Sequence, residues 1–307
     1  RNGMATDYWA ITLHSIVAEE LSYQLFDQVA GDLAIGGCEF PEPELVRCFI
    51  KGDESQCQSL IREAQQLGFT LRSYEPVADQ NWVAKCAELW KPVTAGEITV
   101  VPVAGPSEAP HQVANTIALI PGTGFGTGHH ESTRLMLSIM QDARIITSAP
   151  RSVLDLGTGS GILAIAASKL YSDLPCAGIL ALDNDAEALT NARDNVLLNN
   201  CQERIQVELG TLPFSSNEVH SSFDLVVANI YAEVLCKLEA EIRAVTKVGG
   251  FLVMSGIMTG LAPSVVSTFS EPRWKLLRRE ELNREEFSES ASALNCSWTG
   301  VLCQRVS

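Results

Sequence analysis

Residues 153–161 read VLDLGTGSG, an apolar strand that ends in an acid and a glycine-rich turn, followed by a helix predicted over Gly161–Leu170. A strand that runs through glycines into a helix builds a ligand site at the carboxyl end of a parallel sheet. The glycine spacing decides which ligand. A dinucleotide fingerprint is G-x-G-x-x-G, whereas Gly157, Gly159 and Gly161 are spaced G-x-G-x-G, with Asp155 two residues upstream of the first. The dinucleotide turn sets its third glycine one place later, for close helix–strand packing. An acid beside the turn would repel a pyrophosphate. It suits a ligand with a cationic amino group, such as the methionine end of S-adenosylmethionine, so methyl transfer is favoured over nicotinamide-dependent hydride transfer.

The segments that follow keep an α/β rhythm. Strands are predicted at 152–155, 178–183, 205–208, 223–228 and 251–255, with helices over 161–170, 185–199 and 232–245. Alternation of this kind implies a doubly wound parallel sheet. Two last strands, near Trp274–Glu280 and Ser297–Gln304, would form an antiparallel edge and bring the sheet to seven strands. The charged run RREELNREE between them reads as a solvated helix or loop.

Upstream, Tyr8–Leu13 alternates like a strand, Val17–Ala30 has helical spacing, and Asp32–Phe40 returns as a strand. A helix over Glu54–Leu67, with Gly68 at its C-terminus, and a strand at Phe69–Tyr74 complete a small α/β sandwich. It carries twelve acids against five bases through position 75 and no catalytic constellation, so it reads as a recognition module. An amphipathic helix over Asp79–Leu89, stopped by Pro92, serves as connector. The expected division is therefore a recognition domain over 4–76, a helical linker over 77–96 and a catalytic domain over 97–307; Arg1–Gly3, ahead of Met4, are left out of the fold reading.

Nine scattered cysteines with no C-x-x-C pair read as free thiols of a reducing, cytoplasmic setting. They lack metal-ligand spacing, and no metal is expected. The N-terminal residues lack a basic region followed by an apolar core, and no apolar run reaches membrane-spanning length, so neither a secretory signal nor a membrane span is expected. A net charge of −15 disfavours direct nucleic-acid binding and is compatible with a basic protein partner, although solubility alone is also served by an acidic surface.

Asp183 ends the second strand in ALDND, 26 positions after Gly157, where an acid accepts ribose hydroxyls. The alternative, a helix N-cap, is better filled by Asp185. Asn229 ends the fourth strand in VVANIYAEV, where a carboxamide oxygen can accept a hydrogen bond from an amine nucleophile; a turn role before the helix at Ala232 is the other reading. PGTGFGTGHHEST (121–133) is neither a P-loop nor H-E-x-x-H, since position 134 is Arg. It reads either as a loop that closes over a ligand before a helix at Ser132 or as a glycine-rich linker.

Together these pieces resemble the PrmA family, bacterial methyltransferases that act on the stalk-base protein of the large ribosomal subunit. The resemblance rests on NWVAKCAELWKP, PGTGFGTGHHEST, VLDLGTGSGILAIAASKL, ALDNDAEALTNARDN, VVANI and VGGFLVMSGI, covering most of Asp79–Gly260. It implies a class I, Rossmann-like catalytic domain with S-adenosylmethionine as cofactor. It further implies that Thr133, Gly157, Asp183 and Asn229 contact the cofactor, with Phe125, Gly126, Thr127 and Gly128 near the methyl-transfer site. The implied substrate is a basic ribosomal protein, methylated on lysine or N-terminal amines. The chain departs from the family in reading His129-His130-Glu131 where T-H-P is usual, in Tyr231 where Leu is usual, and in an insertion around Arg278–Ala293. Enzymes acting on glutamine amides or nucleic-acid amino groups usually carry N-P-P-Y, and positions 230 and 231 here are Ile and Tyr.

Overall fold

The computed structural model describes residues 8–15, 34–42, 44–51, 53–77, 92–108, 114–120, 131–172, 178–214, 223–283 and 297–307. These form two compact units, one before position 83 and one after it. The helices expected over Val17–Ala30 and Asp79–Leu89 lie outside the described residues. Among the described residues, no helix is long and apolar enough to cross a membrane.

The first unit is an antiparallel sheet of β1 (Tyr8–His14), β2 (Ala34–Glu42), β3 (Leu45–Lys51) and β4 (Thr70–Val77), in the order β2-β3-β1-β4. Alternation sends Trp9, Ile11 and Leu13 of β1, and Val46, Cys48 and Ile50 of β3, into one core with Cys57, Leu60, Ile61 and Ala64 of α1 (Glu54–Gln66). The helix starts at a capping box, in which Asp53 accepts from the Gln56 amide at 2.9 Å while the Gln56 side chain accepts from the Asp53 amide at 2.9 Å. Strand β3 was not anticipated. It pairs with β2 as a hairpin in which Glu42 stands opposite Leu45.

The second unit holds a seven-stranded sheet built from β8 (Ser152–Leu156), β9 (Gly178–Asp183), β10 (Ile205–Leu209), β11 (Phe223–Asn229), β12 (Thr246–Met258), β13 (Trp274–Asn283) and β14 (Ser297–Arg305). Its order is β10-β9-β8-β11-β12-β14-β13. The five strands from β10 to β12 are parallel, and β14 is antiparallel to both of its neighbours. The sheet is thus mixed rather than wholly parallel, with the late strands at one edge as expected. Alternate residues of the central strands feed opposite layers. Val153, Leu225 and Val227 pack with α2 (Glu131–Ile139), α3 (Ala143–Ser148), α4 (Ile162–Leu170) and α5 (Ala186–Leu198). Leu154, Leu156, Val226 and Ala228 pack with α6 (Ala232–Lys237), α7 (Glu239–Val245) and α8 (Ala262–Thr268). Burial on both faces is why these strands read as unbroken apolar runs.

Three expectations need correction. The helix predicted over 232–245 is two helices, separated at Leu238. A separate three-stranded sheet, β5 (Val93–Ala95), β6 (Ile98–Pro102) and β7 (Thr116–Leu119), stands before the large one, and β5 lies in the stretch read as helical linker. The charged run is not a solvated helix or loop through residue 283, because Arg278–Asn283 continue the edge strand β13. Charges two apart on a strand share a face, so Arg278 pairs with Glu280 at 2.5 Å and Arg279 with Glu281 at 2.6 Å. Such a charged border protects an open sheet edge from pairing with another chain.

Candidate active site

Strand register assembles the site. Ala228 pairs with Leu156 between β11 and β8, and Leu156 pairs with Leu182 between β8 and β9. The next residue of each strand is therefore Asn229, Gly157 and Asp183, one row across the carboxyl ends of three adjacent strands. Connections leave β8 toward β9 on one side and return to β11 on the other. This row is the topological switch point, where open α/β sheets bind ligands.

The turn from β8 to α4 takes positive φ at Gly157 (74°), Gly159 (54°) and Gly161 (82°), conformations that side-chain-bearing residues rarely adopt. Asp183 holds it. One carboxylate oxygen accepts the Gly159 amide at 2.8 Å and the other accepts the Asp185 amide at 3.0 Å. The helix-capping role left open for Asp183 falls to Asp185, which accepts the Glu187 amide at 2.8 Å. Each Asp183 oxygen keeps a lone pair for a further donor.

Asp155 is fully buried beneath the turn. Its Oδ2 accepts from Thr158 Oγ1 at 2.6 Å and from the Ala164 amide at 3.0 Å, whereas Oδ1 has no hydrogen-bond partner among the described residues. Burial pushes this carboxyl up to about 7, against the two hydrogen bonds that favour its charged form. The folded protein holds the proton more tightly than the unfolded chain does. Its contribution to stability is thus full below about pH 3.8 and is lost as pH rises through about 7. Asp155→Asn should abolish this dependence, so that its stability falls less steeply than the wild type's between pH 4 and 7, by about 1.4 kcal/mol per pH unit. Urea denaturation at stepped pH measures the difference, and parallel curves for the two proteins would refute it.

Asn229 does not cap the following helix, whose N-cap is Tyr231. Its Nδ2 donates to Thr133 Oγ1 at 3.3 Å, and Oδ1 is buried with no hydrogen-bond partner among the described residues. Thr133 is itself buried in the first turn of α2. The carboxamide is oriented from one end and open at the other. The next residue, Ile230, is confined from two sides: a Cβ on Gly157 would lie 2.5 Å from Ile230 Cγ2, and one on Gly256 would lie 2.5 Å from the Ile230 carbonyl oxygen. Gly256, with φ of 79°, sits at a bulge where the β12–β14 pairing skips between Met254 and Ile257.

Thr133, Asp155, Gly157, Gly159, Asp183 and Asn229 of the predicted site are thus gathered at the carboxyl edge of the sheet. Phe125, Gly126, Thr127 and Gly128 lie outside the described residues. The sequence reading missed Ile230 and Gly256. An isolated glycine inside a strand pattern is a signal for a bulge or a close backbone approach, and VMSGIM contains one.

The family described as ribosomal protein L11 methyltransferase (PrmA) matches residues 45–287. The ribosomal protein L11 methyltransferase of Caldicellulosiruptor saccharolyticus is 36% identical over 207 residues, which cover 67% of this chain and 64% of that relative. The enzyme of the same name from Deinococcus radiodurans is 35% identical over 216 residues, 69% of this chain and 71% of that one. The chain therefore spans just under two thirds of the length of the first of these relatives. The crystal structure of ribosomal protein L11 methylase from Lactobacillus delbrueckii subsp. bulgaricus matches with a TM-score of 0.52 and 27% identity, covering 71% of this chain and 99% of that one.

Proposed function

The chain belongs to the PrmA family of ribosomal protein L11 methyltransferases, and on that premise we propose that it transfers methyl groups from S-adenosylmethionine to amines of a ribosomal protein. The observation that carries the reading is the Asn229 carboxamide oxygen, buried and without a hydrogen-bond partner among the described residues, at the switch point beside the glycine turn. A buried acceptor without a partner is costly unless a ligand completes it. The site residues fit the cofactor. Gly157 and Gly159 shape the turn, Asp183 has lone pairs for ribose hydroxyls, and Asp155 supplies carboxyl character for the cationic amino end. Thr133 is assigned to cofactor contact, and Phe125 with the 126–128 stretch to the neighbourhood of methyl transfer.

Bound there, S-adenosylmethionine supplies an electrophilic methyl group on a sulfonium sulfur. The chain's own task is to deliver a neutral amine in line with it. A lysine, with a pKa of about 10.4, is neutral only about 0.1% of the time near pH 7.4, so its use costs roughly 4 kcal/mol of deprotonation. A terminal α-amino group is neutral about 20–30% of the time. Desolvation lowers the lysine cost by disfavouring the charged form. Asn229 Oδ1 accepts one amine hydrogen and turns the lone pair toward the methyl, and the proton leaves to solvent. Most of the acceleration then comes from proximity and alignment.

The 4–76 domain is assigned to recognition, 77–96 to a linker and 97–307 to catalysis. The acidic charge suits a basic ribosomal protein, and the free thiols Cys57, Cys201, Cys236 and Cys303 suit the cytoplasm. The test is twofold. Calorimetry should detect uptake of S-adenosylmethionine or its demethylated product and none of NAD, and mass spectrometry should find added methyl groups on purified ribosomal protein L11 after incubation. Firm uptake of NAD alone would overturn the assignment.

A further inference from the structure

Helix α5 carries asparagines at 191 and 195, and Asn199 caps its C-terminus, all at four-residue spacing. Beyond one contact among themselves, from Asn195 Nδ2 to Asn191 Oδ1 at 3.4 Å, their partners among the described residues are main-chain groups. Asn199 Oδ1 accepts the Ala118 amide at 3.0 Å and its Nδ2 donates to the Ala118 carbonyl at 2.7 Å. Asn195 repeats the pattern one step on, accepting the Ile120 amide at 2.8 Å and donating to the Ile120 carbonyl at 3.2 Å, where Asn191 also donates at 3.1 Å. Strand β7 is the edge of its small sheet, and on an edge both main-chain groups of every second residue point outward. Four residues of helix rise about 6.0 Å, and two residues of strand advance about 6.6–6.8 Å. The two repeats match closely enough for each carboxamide, with one acceptor and one donor, to stand in for the missing neighbour strand.

Asn195 does one thing more. Its Nδ2 also donates to the Ser160 carbonyl inside the glycine turn, at 3.0 Å, and the side chain is fully buried. Asp183 therefore fixes the turn through the Gly159 amide, and Asn195 fixes it through the next carbonyl. Ile120, the other end of the Asn195 clamp, is the last described residue before the 121–130 segment. Asn199 grips the same strand and touches nothing in the turn.

We infer that Asn195 is a positioning residue for cofactor binding, joining the backbone that enters the 121–130 segment to the turn on which the cofactor rests. The inference relies on the cofactor assignment above. Asn195→Asp keeps the acceptor for the Ile120 amide but sets carboxylate oxygens against two carbonyls. It should raise the KM for S-adenosylmethionine at least tenfold while kcat at saturation stays within threefold. Asn199→Asp, an equivalent insult to the same strand, should raise KM less than threefold at a comparable loss of thermal stability. Equal KM effects in the two variants would overturn the inference.

A second measurement needs no variant. On saturating the wild-type protein with S-adenosylhomocysteine, hydrogen exchange at the Ile120 amide should slow about tenfold, with the Ala118 amide slowed at most threefold. Equal slowing at both would overturn the inference too. If the wild-type protein takes up neither S-adenosylmethionine nor its demethylated product, it is the cofactor assignment that has failed.

Discussion

Replacing Asn229 with alanine is expected to lower turnover on the order of 10²–10³-fold, the usual cost of removing one positioned polar group at a reacting centre. Affinity for S-adenosylmethionine should change less than about threefold. The asymmetry follows from geometry. The side chain's Nδ2 is tied to Thr133, and Oδ1 has no partner among the described residues, so what alanine removes is chiefly the acceptor proposed for the substrate amine. Single-turnover kinetics at saturating cofactor, with calorimetry on the same preparations, separates the two quantities. An equal loss in both would reassign Asn229 to cofactor binding alone.

The second large effect is expected at Gly256. An alanine Cβ there would lie 2.5 Å from the Ile230 carbonyl oxygen and 2.9 Å from its carbon, on a backbone held at φ of 79°. Left-handed strain on a non-glycine residue costs about 1–3 kcal/mol, and overpacking about 1–3 kcal/mol more. Ile230 cannot step away, because its side chain already fills the space over Gly157. Gly256→Ala should therefore lose about 2–6 kcal/mol of stability by the same two terms. The fraction that stays folded should turn over at least tenfold more slowly, since Asn229 shifts with Ile230. Gly249→Ala provides the control. It shares a positive φ of 81° but has open space around the new methyl, so it should show the strain cost alone and normal turnover. Matching losses of activity in the two variants would refute the argument.

The residues legible in the sequence were those whose role follows from where a strand stops. Asp183 and Asn229 could be found because each ends an apolar run in a polar residue just before a helix, and a doubly wound sheet gathers such ends at its switch point. The glycine turn was legible for the same reason. What sequence could not supply were contacts set by register and shape. Ile230 looks like any apolar residue after a strand, and its confinement between Gly157 and Gly256 depends on three strands meeting at fixed heights. Asn191, Asn195 and Asn199 look like the polar face of a solvated helix, and only the edge of a separate small sheet gives them something to bind. Arg278–Asn283 were misread because charge density argues for solvent exposure, and an edge strand satisfies that while remaining a strand.

Glycines on either side of Ile230 also divide labour between adjacent positions. Ile230 is wedged, so inherited variation there would disturb the reacting geometry. Tyr231, one step along, is exposed. A change at Tyr231, or at Val234, which is exposed as well, would accordingly leave the confinement of Ile230 as it is.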